Sequence, residues 1–306
     1  MALRGAHPRG HRRGSRSGVT TERVDISIVI VTWNSRQAVL DCLSSLTACP
    51  PTLPWETIVV DNGSRDQTVE AVERDHAWAR VIPNATNRGL PAANNQGLIA
   101  ARGSYVVVSN PDVVYRPGAV DALCSLLDRR PRAAFAFARL VDPDGAVQTC
   151  VGDLPTLAQA MGGRARRAPG RTASGFWWHG WPHDREVQIG HGGESCYAVR
   201  RDAVAEIGLQ DERFRLDWEG IDWVARARDM GWEVWFCPDA EVIHAGGVSI
   251  RQARARWIVW SHRGMYLYFA RRRPALRPVL AATIAARATA KLALLVAPFD
   301  VYERAH

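Results

Sequence analysis

The run Ile26-Ser27-Ile28-Val29-Ile30-Val31-Thr32 constrains the fold more than any other stretch of the chain. It is short, rich in β-branched residues, and does not alternate between apolar and polar positions. Such a run belongs to a strand buried on both faces, as in a parallel sheet covered by helices. The next hundred residues repeat that unit. Trp33-Asn34-Ser35 makes a turn, and Ser35 can cap a helix through Leu46. Thr57-Ile58-Val59-Val60 is a second strand, ended by Asp61-Asn62-Gly63-Ser64, and Asp66-Gln67-Thr68 opens a second helix. Residues 79–82 form a weaker third strand, 91–101 a helix, and Tyr105-Val106-Val107-Val108 a fourth strand running into Asn110-Pro111-Asp112. Strands alternating with helices predict the α/β class, with a mostly parallel, doubly wound, Rossmann-like sheet. In such sheets ligands bind beyond the carboxyl ends of the strands, where the polar clusters of this chain fall.

The remainder is less regular. Residues 152–185 are dominated by Gly, Pro, Arg and Trp, including Phe176-Trp177-Trp178-His179-Gly180-Trp181, and read as a long loop near an acceptor site. Order resumes from Gln188 to Ser249, with a helix over 222–230 and a strand over 233–236, and the part from Gln252 to Pro298 is helical. Residues 1–23 have almost no apolar content and read as a disordered basic arm. The expected organisation is therefore this arm, a domain over 24–250 and a helical C-terminal extension over 251–306. The domain divides into halves at 24–112 and 113–250.

The six cysteines are scattered without a Cys-x-x-Cys pair, which argues against a zinc site and a disulfide scaffold and favours reduced thiols in a cytoplasmic protein. The formal net charge of +8 comes almost entirely from arginine, with Lys291 the sole lysine, and suits an anionic partner. A nucleic acid is disfavoured, because the arginines crowd the two ends and no binding motif accompanies them. A dinucleotide oxidoreductase is disfavoured too, because no Gly-x-Gly-x-x-Gly follows the first strand. No stretch reads as a signal peptide or as a clean membrane span.

Several clusters carry possible chemistry, and each has a plainer alternative. Thr32-Trp33-Asn34, Asp61-Asn62-Gly63-Ser64 and Asn87-Arg88-Gly89 offer hydrogen-bonding groups and close backbone approach for a base and ribose. Read alone, the second is equally a good turn sequence. Asp112, in Ser109-Asn110-Pro111-Asp112, can hold a divalent cation against a diphosphate or cap a helix. Asp217-Trp218-Glu219-Gly220-Ile221-Asp222 places acids beside an aromatic, as a general base requires, or complements a helix macrodipole. In His244-Ala245-Gly246-Gly247-Val248-Ser249 the glycines after the histidine favour an exposed loop.

Taken in order, these pieces, together with Asn87-Arg88-Gly89-Leu90-Pro91-Ala92-Ala93-Asn94-Asn95-Gln96-Gly97, resemble the family 2 glycosyltransferases of GT-A fold, in particular the rhamnosyltransferase-like bacterial members. The resemblance spans roughly residues 25–250. It implies an inverting transferase that moves a sugar, with rhamnose the subgroup's example, from a dTDP- or UDP-linked donor to a glycan or lipid-linked acceptor in cell-envelope polysaccharide or glycolipid synthesis. Thr32, Asn34, Asp61, Asn87 and Gly89 would bind the donor nucleotide. Asn94, Asn95 and Asn110 would lie near its phosphates or sugar. Asp112 and His244 would hold Mg²⁺ or Mn²⁺. The family's usual base position is Gly220 here, so the resemblance leaves Glu219 or Asp222 as the base, with Glu219 nearer the lost position. The same departure supports an alternative, a weakened domain that binds nucleotide sugar or glycan without transfer.

The segment 274–298 reads as an amphipathic helix carrying Arg277, Arg287 and Lys291, preceded by Arg271-Arg272-Arg273. Residues 271–298 can make a peripheral contact on the inner face of the plasma membrane, or pack on the catalytic domain or on a partner subunit in a homo-oligomer.

Overall fold

The computed structural model describes residues 23–162, 176–245 and 254–296. The basic arm before Arg23, the centre of the Gly- and Arg-rich loop, and Gly246-Gly247-Val248-Ser249 lie outside the described residues.

The first part follows the sequence pattern closely. Strand β1 (Ile26–Thr32), helix α1 (Arg36–Ala48), β2 (Trp55–Asp61), α2 (Thr68–Asp75), β3 (Arg80–Pro83), α3 (Leu90–Ala100) and β4 (Tyr105–Ser109) alternate along the chain. The four strands are all parallel, in the order β3-β2-β1-β4. Every residue of β1 is buried, as a strand covered on both faces requires. Helix α3 approaches β1 so closely that a Cβ on Gly97 would stand 2.1 Å from Val29 Cγ1. Ser35 precedes α1 but does not cap it. Its hydroxyl donates to the Trp33 carbonyl, and the Asp66 carboxylate accepts the Arg36 N–H at 3.1 Å instead. The loop after β2 thus closes the helix that follows β1.

Beyond Asn110 the sheet changes character. The chain continues through β5 (Val113–Tyr115), α4 (Ala119–Arg129), β6 (Ala133–Val141), β7 (Val151–Gly152), α5 (Leu157–Ala160), β8 (Val187–Gln188), β9 (His191–Gly192), β10 (Cys196–Arg200), α6 (Arg201–Ile207), α7 (Glu219–Asp229) and β11 (Glu233–His244). Strand β10 lies between β4 and β6, antiparallel to both. Strand β11 runs parallel to β6 and antiparallel to β5 and β8. The sheet is therefore mixed: the expected parallel pairing holds for β3-β2-β1-β4 and for β6–β11, and β10, β5 and β8 pair antiparallel. The physical reason is the entry of β10. It reaches β4 from β9 through only Gly193, Glu194 and Ser195, without the helical crossover that a parallel neighbour needs.

The tryptophan-rich segment is only partly a loop beside the site. Trp178 and Trp181 are buried, and the Trp181 ring packs edge-on against Phe236. All six cysteines are free, five of them buried.

The C-terminal helices α8 (Arg254–Arg272) and α9 (Arg277–Val296) are joined by a 3₁₀ turn at Pro274–Leu276. Met265, Tyr268 and Phe269 of α8 share a buried cluster with Trp218 and Ile221 at the start of α7. Leu280 and Ile284 of α9 complete it. Helix α8 is thus built into the domain against the start of α7.

The stretch Pro274–Leu295 has a mean hydropathy of 1.4 and, by length and composition alone, is able to cross a membrane, contrary to the sequence reading. Its polarity is also inverted relative to the expected basic stripe. Arg287 lies half-buried with Nη1 3.0 Å from His262 Nε2, and Lys291 is half-buried beside it. Val279 and Leu276 face outward.

Candidate active site

The carboxyl ends of β1 and β2 meet at Thr32 and Asp61, which are register partners. Both residues are buried, and Thr32 Oγ1 and Asp61 Oδ1 have no hydrogen-bond partner among the described residues. Orphaned buried acceptors cost free energy, so this arrangement is poised for a ligand's donors. The other Asp61 oxygen is occupied, accepting the Gly63 and Ser64 N–H groups at 3.2 and 2.9 Å.

Asn62, which the sequence reading did not single out, ties the second and third clusters together. Its Oδ1 accepts the Arg88 N–H at 2.9 Å, and its Nδ2 donates to Asn87 Oδ1 and to the Gly89 carbonyl. Asn34, at φ 48°, uses its Oδ1 to accept the Arg65 N–H at 2.9 Å. It ties the turn after β1 to the loop after β2 and does not line the cavity.

Beyond these strand ends lies a cavity of about 530 Å³, within the range of small-molecule sites. Of the predicted residues, Thr32, Asn87, Gly89, Asn110, Asp112, Glu219 and His244 line it. Asp61 does not, and neither do Asn94 and Asn95. They are buried in α3 and bind the 210–212 segment, Asn94 Nδ2 donating to Gln210 Oε1 and Asn95 Nδ2 to the Gln210 carbonyl and Glu212. The helix that follows Gly89 points these amides at the 210–212 segment, where they join the two parts of the domain. The missed lining residues include Trp33, Asn62, Trp177, His191, Glu194, Arg215, Asp217, Arg256, Trp257 and Trp260. Only long-range packing collects them, so local sequence carries no signal for most. Arg215 is the exception in kind: its Nη1 donates to the Arg88 carbonyl at 2.6 Å, beside the predicted Gly89.

Asp112 and His244 meet across the β5–β11 edge, His244 Nε2 lying 3.5 Å from Asp112 Oδ1. The histidine tautomer follows from its neighbours. Gln148 Nε2 donates to Asp142 Oδ1 at 2.6 Å and to the His244 carbonyl at 2.8 Å, which fixes the amide. Gln148 Oε1 therefore faces His244 Nδ1 at 3.1 Å, and Nδ1 carries the proton. In the neutral ring Nε2 then keeps its lone pair, 3.5 Å from Asp112 Oδ1 and 3.2 Å from the Ser195 hydroxyl. Two acceptors facing each other fit a shared divalent cation. No set of three or more His, Cys, Asp or Glu ligands exists among the described residues. A cation here would thus need a diphosphate and water to complete its shell.

The same cavity is lined by three further carboxyls, Glu194, Asp217 and Glu219. Burial pushes all three carboxyls above their usual range. Glu219 is raised furthest, with Glu194 and Asp217 adding like charge after desolvation. Glu194 is raised by desolvation and then by Asp217, partly offset by the Gly220 N–H. Asp217 is raised by desolvation and partly relieved by Ser261 and Trp257 of α8, which face it. Asp217 and Trp218 both have positive φ, 61° and 67°, a strained turn held in place by the packing of α8. Raised carboxylates in a cleft are what general base chemistry requires.

Asp222 does not share that lining. It is completely buried and bound by Arg226 Nε at 3.0 Å and Arg271 Nη1 at 2.7 Å. One turn beyond the cavity, it faces α8 and serves packing, contrary to the sequence expectation that placed it beside the acceptor.

The geometry can now be set beside known proteins. The model of glycosyl transferase family 2 matches residues 27–187, more than half of the chain. An N-acetylglucosaminyl-diphospho-decaprenol L-rhamnosyltransferase of Mycobacterium tuberculosis, found in two strains, is 30% identical over 267 residues. That match covers 81% of this chain and 84% of the relative. Among solved structures, the mannosyltransferase PcManGT from Pyrobaculum calidifontis, in complex with GDP-Man and Mn²⁺, superposes with a TM-score of 0.54 at 18% identity, covering 90% of this chain and 76% of that one. S. aureus TarS 1–349 gives 0.53 at 15% identity, over 80% of this chain and 64% of that one. These structures show the fold, GT-A with added C-terminal helices. With a mixed α/β sheet, strand-end clusters around one cavity, and both the family model and a rhamnosyltransferase relative in agreement, the chain belongs to glycosyl transferase family 2.

Proposed function

We propose that the protein transfers a rhamnosyl group, with inversion, from dTDP-rhamnose to a lipid-diphosphate-linked N-acetylglucosamine. The observation that carries this reading is the cavity itself. Thr32, Asp112, His244 and the raised carboxylates of Glu194, Asp217 and Glu219 line it together, and Asp61, with one unpaired oxygen, is the register partner of Thr32 just behind that lining. The choice of sugar and acceptor leans on the mycobacterial relative, whose name states both. A UDP-sugar is the competing donor, since Asp61 serves either pyrimidine nucleotide.

Each part of the chain then has a task. Thr32 and Asp61 accept hydrogen bonds from the nucleoside. Arg215 and Arg256 stand in the wall to offset diphosphate charge. Asp112 and His244 Nε2 would hold a Mg²⁺ or Mn²⁺ ion, which when bound neutralises charge developing on the leaving diphosphate. Trp177, Trp257 and Trp260 supply aromatic faces for sugar rings and exclude water. A carboxylate takes the proton of the acceptor hydroxyl. The oxygen attacks the anomeric carbon opposite the nucleoside diphosphate, through an oxocarbenium-like transition state.

The outward apolar residues of α9 support a peripheral position at the inner face of the plasma membrane, where a lipid-linked acceptor resides.

Thermal stabilisation by a panel of nucleotide sugars with Mg²⁺ or Mn²⁺ tests the donor assignment. At a donor concentration 100 times Kd the expected gain is about 2.7 kcal/mol. Stabilisation by dTDP-rhamnose, with transfer to N-acetylglucosaminyl-diphospho-decaprenol, is the expected result. Stabilisation by a purine-linked sugar alone would reject the nucleotide assignment.

A further inference from the structure

Gly220 opens α7 where the resemblance to family 2 leads one to expect a carboxylate, and the space above it is not empty. A Cβ built on Gly220 would stand 2.1 Å from Glu194 Cδ and 2.3 and 2.4 Å from its two carboxyl oxygens. The Glu194 carboxyl thus occupies the volume that a side chain at 220 would fill, and the Gly220 N–H bonds to it. We propose that Glu194 is the catalytic base of this enzyme, delivering from the β9–β10 connection the carboxylate that position 220 lacks.

The other cavity carboxylates are worse placed. Asp112 is turned to His244. Asp217 is held towards Ser261 and Trp257. Both glutamates line the cavity, but Glu219 is 2% exposed with Oε2 inaccessible, whereas Glu194 is only half-buried. Glu194 also sits at the positive end of α7, which favours the anionic form a base needs before it accepts a proton. The chain residues beside it, Gly192 and Gly193, lie on the same wall. In the step, the acceptor O–H bond breaks and its proton passes to a Glu194 oxygen. The acceptor oxygen bonds to the anomeric carbon as the carbon–oxygen bond to the diphosphate breaks, its electron pair leaving with the nucleoside diphosphate.

This inference rests on the transferase reading, and the test separates the two. Steady-state transfer is measured with dTDP-rhamnose and N-acetylglucosaminyl-diphospho-decaprenol for wild type, Glu194→Gln, Glu194→Gly and the double variant Glu194→Gly/Gly220→Asp. Glu194→Gln is expected to lose about 10²–10⁴-fold in kcat, with donor KM changed less than about threefold and donor-dependent thermal stabilisation retained. The double variant, which returns a carboxylate to the vacated volume from the other side, is expected to recover about tenfold or more over Glu194→Gly. Gly220→Asp alone is expected to be inactive, since two carboxylates cannot share the space.

Wild-type transfer that Glu194→Gln retains overturns the assignment and leaves the transferase reading standing. A folded double variant no more active than Glu194→Gly makes Glu194 structural and also overturns it. If the double variant does not fold, the kcat-against-KM split of Glu194→Gln decides. No transfer by wild type with any nucleotide sugar overturns both.

Discussion

The two halves of this domain build their sites differently. From Arg23 to Ser109 the functional groups sit at the ends of consecutive parallel strands, and each cluster lies a few residues from the strand that presents it. From Asn110 onward the groups come from β5, the β9–β10 connection, the strained turn before α7, the end of β11 and helix α8. The first construction is periodic and local. The second depends on an antiparallel insertion and on a C-terminal helix closing the wall. The proposed donor-binding clusters can therefore be read from repeated units, whereas the proposed reacting end exists only after long-range assembly. Substitutions that uncouple the halves measure how far this division holds.

The largest expected effect is at the seam. Asp112 follows β4 of the first half and faces His244 at the end of β11. Asp112→Ala removes one of two protein donors and leaves the His244 lone pair facing an apolar methyl. A loss of about 10²–10³-fold in kcat is expected, in line with removing one electrostatic contact to a developing charge. Single-turnover transfer at saturating donor and metal measures it. Full turnover would mean that the two halves do not meet at a shared cation.

Next is Asp222, which the sequence places among possible bases and the structure places in the join between α7 and α8. Its two arginine partners have other acceptors, Arg271 the Asp211 carboxylate and Arg226 the Ile207 and Leu209 carbonyls. Asp222→Ala is expected to cost about 3 kcal/mol of stability, the lower end of the range for breaking a buried pair. Turnover per folded molecule should change by less than about twofold. Urea denaturation followed by kinetics on the refolded fraction separates the two, and a selective fall in kcat would restore Asp222 to the chemistry.

Val279 tests whether the last helix belongs to the acceptor half alone. It is 60% exposed on the outward face of α9, while Leu280 and Ile284 point inward. Val279→Glu should lower co-sedimentation with anionic vesicles by about tenfold, since it replaces buried hydrocarbon by a charge that anionic lipid repels. The melting temperature should not move. Equal vesicle binding by both proteins would reject the membrane position.

How much of this was legible in sequence follows from the same division. The seven residues of β1 announce a doubly covered strand, and Asp61, Thr32 and Asn87 stand at strand ends because turn chemistry and β-propensity act over a few residues. Asn94 and Asn95 misled, because helical spacing does not tell which face of α3 meets the 210–212 segment. Glu194 was silent. It lies in a short polar connection with no periodicity, and its meaning depends on Gly220, with which it shares no local pattern. The inverted polarity of α9 was hidden too: Arg287 and Lys291 share one face, but only packing on His262 turns that face inward.

The smallest effect concerns Glu219, and it probes the acceptor wall through stability. Its carboxyl is raised well above the ordinary value, first by desolvation and then by Glu194 and Asp217. A carboxyl raised in the folded state binds more protons folded than unfolded at any pH between its unfolded value and its folded one. Stability therefore falls as pH rises through that window, because deprotonation is easier in the unfolded chain. Glu219→Gln removes the ionisable group and keeps its shape and hydrogen-bonding capacity. The variant should melt higher than wild type at pH 8, by roughly 2–4 °C for about 1 kcal/mol in a domain of this size. At pH 4, just below the ordinary glutamate value of about 4.3, the side chain is mostly neutral in both states and the difference should shrink to nearly nothing. Calorimetric melting at the two pH values gives the comparison. A pH-independent shift would mean that Glu219 is neither desolvated nor coupled to Glu194 and Asp217. A pH-dependent gain combined with unchanged kcat would mark Glu219 as stored repulsion in the wall and leave proton transfer to its neighbour.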